Sequence, residues 1–282
     1  MLDIGRGSGE GAISLEASIK TCSRTKQWNA ALRLLREGVR IGVQLAQSHY
    51  VATVSACRKS GHWQYALSLL YEMWKAKLEH TVVSCSAGIS ACGKGEQWQP
   101  ALALLTEMRE AKLEPDVTSY NAGISACEKG EQWQPALALL SEMWKAKLGP
   151  DLMSYSAGIS ACGKGEQWQR AQALLSEMRE VKLKPDVIFS YSAGISACEK
   201  GEQWQRALAL LSEMREAKLE PDGISSTIAG ISACRKCAQW QRALVLLCEM
   251  REAKLEPNVT SATALASVRA RRASSGSRRS RC

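Results

Sequence analysis

The chain has 282 residues, a formal net charge of +9, 45% hydrophobic residues and 11 cysteines. No apolar run approaches the roughly 18 residues that a membrane-spanning helix needs, so we expect no membrane protein. Six of the nine net charges come from arginines after Val268, which leaves only about +3 on the rest of the chain. A generic basic-patch argument for nucleic acid is therefore weak.

The chain begins with the Gly-rich segment 1–11, which has neither the apolar core of a signal peptide nor the arginines of a transit peptide. We expect this segment to be flexible. An internal repeat follows over residues 12–268. The segment 269–282 is rich in Arg and Ser, and we expect it to be disordered. This tail is either a solvated terminus or an added attraction for phosphates.

The repeat is nearly identical in its best copies, since Val82–Asp116 and Val117–Asp151 agree at 27 of 35 positions. One cysteine per unit marks the period, at Cys22, Cys57, Cys92, Cys127, Cys162, Cys198 and Cys234. A tryptophan follows each of these cysteines by six residues, at Trp28, Trp63, Trp98, Trp133, Trp168, Trp204 and Trp240. This predicts seven full units and a partial eighth that begins at Val259.

Each unit predicts two helices. In Val117–Asp151, Thr118 or Ser119 can cap the first helix, and Gly130 suits a left-handed stop at its end. The second helix begins near Gln132, with Pro135 tolerated in its first turn. Its apolar stripe is predicted to contain Trp133, Ala136, Leu137, Leu140, Met143 and Trp144. Because neither helix buries its stripe alone, neighbouring units must stack into an all-α solenoid without strands.

Catalysis, cofactors and metals have no support in the sequence. No known nucleophile, phosphate-loop or zinc-hydrolase motif occurs. The C-x-x-C pair Cys234–Cys237 has no second pair at zinc-finger spacing. We therefore expect the repeated cysteines and tryptophans to be core residues, and we expect neither enzyme activity nor a cofactor.

A cation stands two residues after each repeated cysteine, at Arg24, Lys59, Lys94, Lys129, Lys164, Lys200 and Lys236. In a stack of repeats these cations form a line, and one charge per unit matches one phosphate per nucleotide. The same residues are also favourable charges at helix C-termini. This pattern alone leaves both interpretations open.

The fifth and last residues of a unit are small and polar where the repeat is best kept. The pairs are Ser86 with Asp116, Asn121 with Asp151, Ser156 with Asp186, and Ser192 with Asp222. Such side chains can make directional hydrogen bonds to a base edge. Helix capping is the competing explanation, and it is stronger for the aspartates than for the fifth residues.

The run EPDVTSYNAGISACEKGEQWQPALALLSEM resembles a pentatricopeptide repeat, and the resemblance extends over about Ala12 to Val268. It implies a right-handed α-solenoid that binds single-stranded RNA with one base per repeat. In that family the fifth and last residues choose the base, so Asn121/Asp151 resembles a uracil-type pair. The three serine pairs resemble guanine-type pairs.

The resemblance also implies base-packing residues at the second position, which are Val83, Thr118, Met153 and Phe189, and backbone contacts from the lysine row. The first two repeats depart from the family, with Glu16/Ala46 and Val51/Thr81. The seventh departs with Ile228/Asn258. We therefore expect four base-reading repeats in the middle and outer repeats that act more as caps.

The resemblance implies a role in organellar RNA processing, stability or translation, in a plastid or mitochondrion, as a monomer. The alternative is a protein-interaction scaffold, because helical solenoids also bind peptides.

Overall fold

The computed structural model describes residues 10–181, 187–216, 225–237 and 239–252. Fourteen helices, and no strand, occur in these residues. The helices are α1 (Glu10–Arg24), α2 (Trp28–Arg40), α3 (Gln47–Ser60), α4 (Trp63–Lys75), α5 (Val82–Lys94), α6 (Trp98–Glu110), α7 (Val117–Lys129), α8 (Trp133–Lys145), α9 (Leu152–Lys164), α10 (Trp168–Glu180), α11 (Val187–Lys200), α12 (Trp204–Glu216), α13 (Ser225–Lys236) and α14 (Trp240–Glu252). Residues 1–9 and 253–282, which include most of the predicted flexible segment 1–11, the partial eighth unit and the tail 269–282, lie outside the described residues. Residues 10 and 11 of the predicted flexible segment belong to α1.

The helices form two compact units, Met1–Gly149 with α1–α8 and Pro150–Cys282 with α9–α14. We call the odd-numbered helices A and the even-numbered helices B. In each unit an A helix packs against the B helix of its own repeat and against the A helix of the next repeat. Within each unit, a B helix also contacts the A helix that follows it. The predicted all-α architecture of tandem helix pairs is confirmed.

The core repeats with the sequence. The third to seventh repeats each bury Ile, Ala and Cys from the A helix, as at Ile124, Ala126 and Cys127, which are 0% exposed. The B helix adds one Ala, two Leu and one Met, as at Ala136, Leu139, Leu140 and Met143. Burial raises the pKa of the Cys127 thiol to about 12, so the thiol is neutral and packs as a small apolar group. The prediction that these cysteines are core residues is confirmed for six of the seven, whereas Cys22 is only partly buried.

The N-cap of the A helix is the last residue of the preceding unit. Asp116 precedes α7, and its carboxylate accepts a hydrogen bond from the backbone N–H of Ser119. The predicted caps Thr118 and Ser119 are therefore wrong, because both lie inside the helix. A carboxylate at this end also complements the positive pole of the helix dipole.

Gly130 ends the A helix for a different reason from the one predicted. Its φ is −77°, and the left-handed residue is the next one, Glu131, at φ 59°. A Cβ on Gly130 would lie 2.5 Å from Cδ1 of Trp98 in the preceding B helix. The glycine therefore makes room for a tryptophan of the neighbouring repeat.

The tryptophans divide into two kinds. Trp98 and Trp133, at the start of α6 and α8, are half-buried. Trp144, which the periodicity assigned to the apolar stripe of α8, is 45% exposed, and Leu139 is buried in the core instead. No helix among the described residues is long and apolar enough to cross a membrane.

Candidate nucleic-acid interface

The second residue of the A helix projects into solvent. Val83 is 65% exposed and Met153 is 68% exposed, which is unusual for side chains of this size and polarity. Thr118 is also exposed. The side chain of Phe189 lies outside the described residues. Repeats of both units thus offer a small apolar surface at the same register, as a base-packing role requires.

The fifth residue lies one turn further along the A helix and is less accessible. Ser86 is only 8% exposed, whereas Asn121, Ser156 and Ser192 are half-buried. Each serine contacts the third residue of the next A helix through its hydroxyl. The Oγ–Oγ distances are 2.6 Å for Ser86–Ser119, 2.7 Å for Ser156–Ser190 and 2.8 Å for Ser192–Ser226.

The third residue of the A helix is a site that the sequence analysis missed. It is a serine in five successive repeats, namely Ser84, Ser119, Ser154, Ser190 and Ser226, and all five are 0% exposed. Full burial of a hydroxyl at a repeated position is stable only when it is hydrogen-bonded. The unvarying serine at this register was the signal, but sequence reasoning had treated Ser119 only as a possible cap.

Ser119 connects the two residues predicted to read one base. Its Oγ and its backbone N–H both donate to Oδ1 of Asp116, at 2.7 and 2.8 Å. Its Oγ also lies 2.6 Å from Oγ of Ser86, which itself donates to the carbonyl of Val82 at 2.6 Å. Within the described part of the chain, Oδ2 of Asp116 receives no hydrogen bond.

The hydroxyl protons of Ser86 and Ser119 both form hydrogen bonds within the protein. A hydroxyl carries one proton, and an ionised carboxylate only accepts. The proton of Ser119 is committed to Asp116, and that of Ser86 to Val82 or Ser119. Ser86 and Asp116 can therefore offer a ligand only acceptor lone pairs.

The second unit repeats parts of this arrangement. Oδ1 of Asp151 accepts from the backbone N–H and the Oγ of Ser154, both at 2.9 Å. Asp186 and Asp222, the predicted partners of Ser156 and Ser192, lie outside the described residues. Asn121 belongs to the first unit and its predicted partner Asp151 to the second.

The lysine row reaches back to the preceding repeat. Nζ of Lys59 donates to the carbonyl of Ser23 at 3.0 Å, and Nζ of Lys94 donates to that of Lys59 at 3.4 Å. In the second unit Nζ of Lys236 donates to the carbonyl of Glu199 at 3.5 Å. These carbonyls lie in the last turn of an A helix, where free carbonyls accept from other donors. The helix-end explanation of the row is therefore supported, and the ammonium groups of Lys59 and Lys94 keep further donors.

The row concentrates positive charge. The pKa of Lys94 is lowered, first by burial and then by repulsion from Arg58, Lys129, Lys26 and Lys59. In the first unit, lysines of successive repeats therefore lie close enough to repel one another. Their repulsion would be relieved by a polyanion that runs along them. Lys164 and Lys200 hold the same register in α9 and α11.

A cavity of about 530 Å³ lies between the first two repeats. Its lining includes Val51 and Thr81, the fifth and last residues of the second repeat, and three cations, Lys20, Arg24 and Lys59. Oγ1 of Thr81 accepts from Nε2 of Gln47 at 3.1 Å. Sequence analysis assigned this repeat to the caps, because Val51 cannot hydrogen-bond to a base. The cationic lining was not foreseen.

The helix pairs stack in tandem, and their A helices begin with polar residues. These features place the protein in the class of helical-repeat solenoids. Two family models match the chain. One is described as the pentacotripeptide-repeat region of PRORP and matches residues 6–181, and the other is the PPR repeat, which matches residues 189–219. The chain belongs to the pentatricopeptide repeat family, as the sequence resemblance predicted. A search of the curated protein sequences returns no match.

Solved structures agree with this fold. The pentatricopeptide repeat protein PPR10 from maize matches with a TM-score of 0.64 and 24% identity, over 86% of this chain and 34% of that chain. PPR10 in complex with an 18-nt psaJ RNA element matches with a TM-score of 0.56 and 17% identity, over 92% of this chain and 43% of that one. The chain therefore spans less than half the length of the maize protein.

A third structure links the fold to another RNA. The PPR domain of Arabidopsis thaliana protein-only RNase P 1, in complex with tRNA, matches with a TM-score of 0.55 and 18% identity. The match covers 62% of this chain and 92% of that domain. This likeness shows the fold of the matched part of the chain. No group of three or more His, Cys, Asp or Glu in the described ranges is arranged to hold a metal ion.

Proposed function

We propose that this protein binds single-stranded RNA sequence-specifically, with one base per repeat. The observation that carries the proposal is the Ser86–Ser119–Asp116 network beside the exposed Val83 side chain. It combines an apolar surface for the face of a base with fixed acceptors for its edge. RNA-binding proteins read single-stranded bases in this way.

Guanine is the base that best fits this network. Ser86 and Asp116 present acceptors only, and the Watson–Crick edge of guanine presents two neighbouring donors, N1–H and N2–H. The family resemblance also assigns Ser156/Asp186 and Ser192/Asp222 to guanine. It assigns Asn121/Asp151 to uracil, and the amide of Asn121 both donates and accepts hydrogen bonds.

The lysine row would hold the RNA backbone. The ammonium groups of Lys59, Lys94 and Lys129 in the first unit, and those of Lys164, Lys200 and Lys236 in the second, recur once per repeat. Lys59 and Lys94 have donors left after their helix-end hydrogen bonds. RNA complexes of PPR10 and of the RNase P repeat domain make such a role plausible for this fold.

The proposed action is non-catalytic: the bound strand is masked or held open during RNA processing, stabilisation or translation. We propose a monomer that needs no cofactor and works in a plastid or mitochondrion, following the family resemblance. One structural relative is a nuclear RNase P, so the fold is compatible with more than one compartment.

A filter-binding selection with a random single-stranded RNA pool tests the proposal. We expect enrichment of a short core that contains G and U. We also expect log K to fall with log salt concentration with a slope of about −0.7 per phosphate contacted. Absence of binding at low salt, or equal binding of all sequences, would contradict it and favour the protein-scaffold alternative.

A further inference from the structure

An ion pair between successive B helices recurs in the repeat framework. Arg109 of α6 pairs with Glu142 of α8, and Arg179 of α10 pairs with Glu213 of α12. The guanidinium also contacts the tyrosine at the fourth position of the next A helix. Arg109 donates to the hydroxyl of Tyr120, and Arg179 lies 5.2 Å from the ring centroid of Tyr191. Each complete site thus consists of Arg, Tyr and Glu.

Two of these three residues are changed at the junction between α4 and α6. Trp74 stands where the arginine would be, and Cys85 stands where the tyrosine would be. The glutamate is kept as Glu107. Within the described residues, its carboxylate has no hydrogen-bond or ion-pair partner, whereas the carboxylates of Glu142 and Glu213 are paired. The junction therefore keeps the anion and loses its cation.

The changed junction contains a cavity of about 610 Å³. Cys85 is smaller than tyrosine, and so it leaves space that Tyr120 occupies one repeat later. The cavity wall includes Trp74, Tyr71, Cys85, Glu107 and Glu110. Trp74 is 65% exposed and Tyr71 is 53% exposed, and their ring centroids are 5.9 Å apart.

These walls suit a cation. Aromatic faces attract ammonium and guanidinium groups, and Nζ of Lys75 already lies 4.7 Å from the centre of the Tyr71 ring. Glu107 and Glu110 supply negative charge at the same wall. His80 also lines the cavity, and its Nδ1 is buried without a hydrogen-bond partner among the described residues. A phosphate backbone would be repelled by the two carboxylates, so RNA is a poor occupant.

We propose that this cavity binds an arginine side chain carried by an exposed segment of a partner protein. The guanidinium would restore in trans the ion pair that Arg109 and Arg179 make in cis. Arginine fits better than lysine because its planar group stacks on an indole and pairs with a carboxylate through two hydrogen bonds. The inference is independent of RNA binding.

The test is a titration of the protein, labelled with ¹⁵N at its indoles, with the peptide acetyl-Gly-Arg-Gly-amide. The neutral peptide with citrulline in place of arginine is the matched ligand control. We expect the Trp74 indole resonance to shift with a dissociation constant on the order of 1 mM, since a single side chain supplies few contacts. The citrulline peptide should bind at least about tenfold more weakly, because it lacks the charge.

Three variants locate the binding. Trp74→Arg should abolish it, because the new arginine pairs with Glu107 within the chain. Trp144→Arg, the same substitution at another exposed tryptophan, should leave the affinity unchanged. Glu107→Gln should weaken binding of the arginine peptide but not of the citrulline peptide, and it keeps the test valid if Trp74→Arg does not fold.

Equal binding of both peptides, or undiminished binding by Trp74→Arg, would overturn the proposal. A further outcome would also overturn it: concentration-dependent self-association in sedimentation that Trp74→Arg removes, without any peptide binding. In that case the occupant is a second copy of this chain.

Discussion

Two neighbouring junctions of the first unit share a framework and differ in chemistry. Between α3 and α5, Ser84 is buried and hydrogen-bonded to Thr81, but the fifth residue of that repeat is Val51. Between α5 and α7, Ser119 is buried in the same register and joins Ser86 to Asp116. The first junction has a helix cap only, whereas the second has a cap and a pair of fixed acceptors.

The difference separates stability from recognition. Both junctions need the buried serine and the cap to begin an A helix. Only the second can, under the proposed function, distinguish one base from another. Substitutions at equivalent positions should therefore cost similar stability and have different effects on binding, which allows each junction to serve as the control for the other.

The buried cysteines that both junctions share should lose their stabilising contribution at high pH. This is the largest effect that we expect. Burial raises the thiol pKa of Cys57 and Cys92 to about 11 and of Cys127 to about 12, from an ordinary value of 9.0. Their stabilising contribution is complete below pH 9 and is lost as the pH rises toward these values, because the unfolded thiols ionise first. Thermal melts at rising pH should show the midpoint fall above pH 9.

The variant Cys127→Ala is the control for that prediction. It removes one titrating thiol, and its stability should fall less steeply between pH 9 and 10.5 than that of the parent protein. Equal slopes for the two proteins would show that other groups cause the alkaline loss.

Removing the N-caps should give the second-largest effect, and it should distinguish the two junctions in RNA binding. Asp116→Ala and Thr81→Ala should each lower the free energy of unfolding by about 1 kcal/mol, because each leaves an N-terminal backbone N–H of an A helix without its acceptor. Chemical denaturation measures this loss. In RNA selections Asp116→Ala should also lose the preference at one base, whereas Thr81→Ala should keep every preference.

Removing the buried serine is a milder change. Ser119→Ala and Ser84→Ala should each cost about 0.5–1.5 kcal/mol, the usual net value of a hydrogen bond. Ser119→Ala releases Asp116 and the Ser86 hydroxyl, so it should weaken discrimination at the same single base. Combining it with Ser86→Ala should add little further loss of discrimination, since the two residues act through one network. Additive losses would mean that Ser119 does not act through Ser86.

Substitutions in the lysine row should differ least between the two junctions, because both junctions carry the lysine. Lys94→Gln and Lys129→Gln should each reduce the magnitude of the salt slope by about 0.7 and weaken all RNA sequences equally. Titrations at several salt concentrations measure this. An unchanged slope would mean that the lysines do not contact phosphates and act only as favourable charges at the helix C-termini.

Most of the fold was predictable because the same pattern of residues recurs in seven repeats. The cysteine period, the apolar stripe and the proline positions gave the helix pairs nearly to the residue. Trp144 and Gly130 were misassigned because periodicity within one helix does not show what the neighbouring repeat contributes. Trp98 of the preceding repeat, and not a left-handed backbone, requires Gly130.

The candidate site was predictable only in part. Position five was chosen from its small polar residues, and position two by family resemblance. The exposure of Val83 and Met153 agrees with the choice of position two. The role of Ser119 was not predictable, since a serine near a helix start is usually a cap. Its contact with Ser86 joins two repeats, and such contacts depend on how the repeats stack.

The most direct test of the central claim is a paired RNA selection with the parent protein and Asn121→Ser. Asn121 is the fifth residue of its repeat and the one amide among the four fifth residues that we propose to read bases. The account predicts that the preference at one base changes from uracil toward guanine while the neighbouring bases keep theirs. A uniform loss of affinity, or an unchanged sequence preference, would contradict base reading by this position.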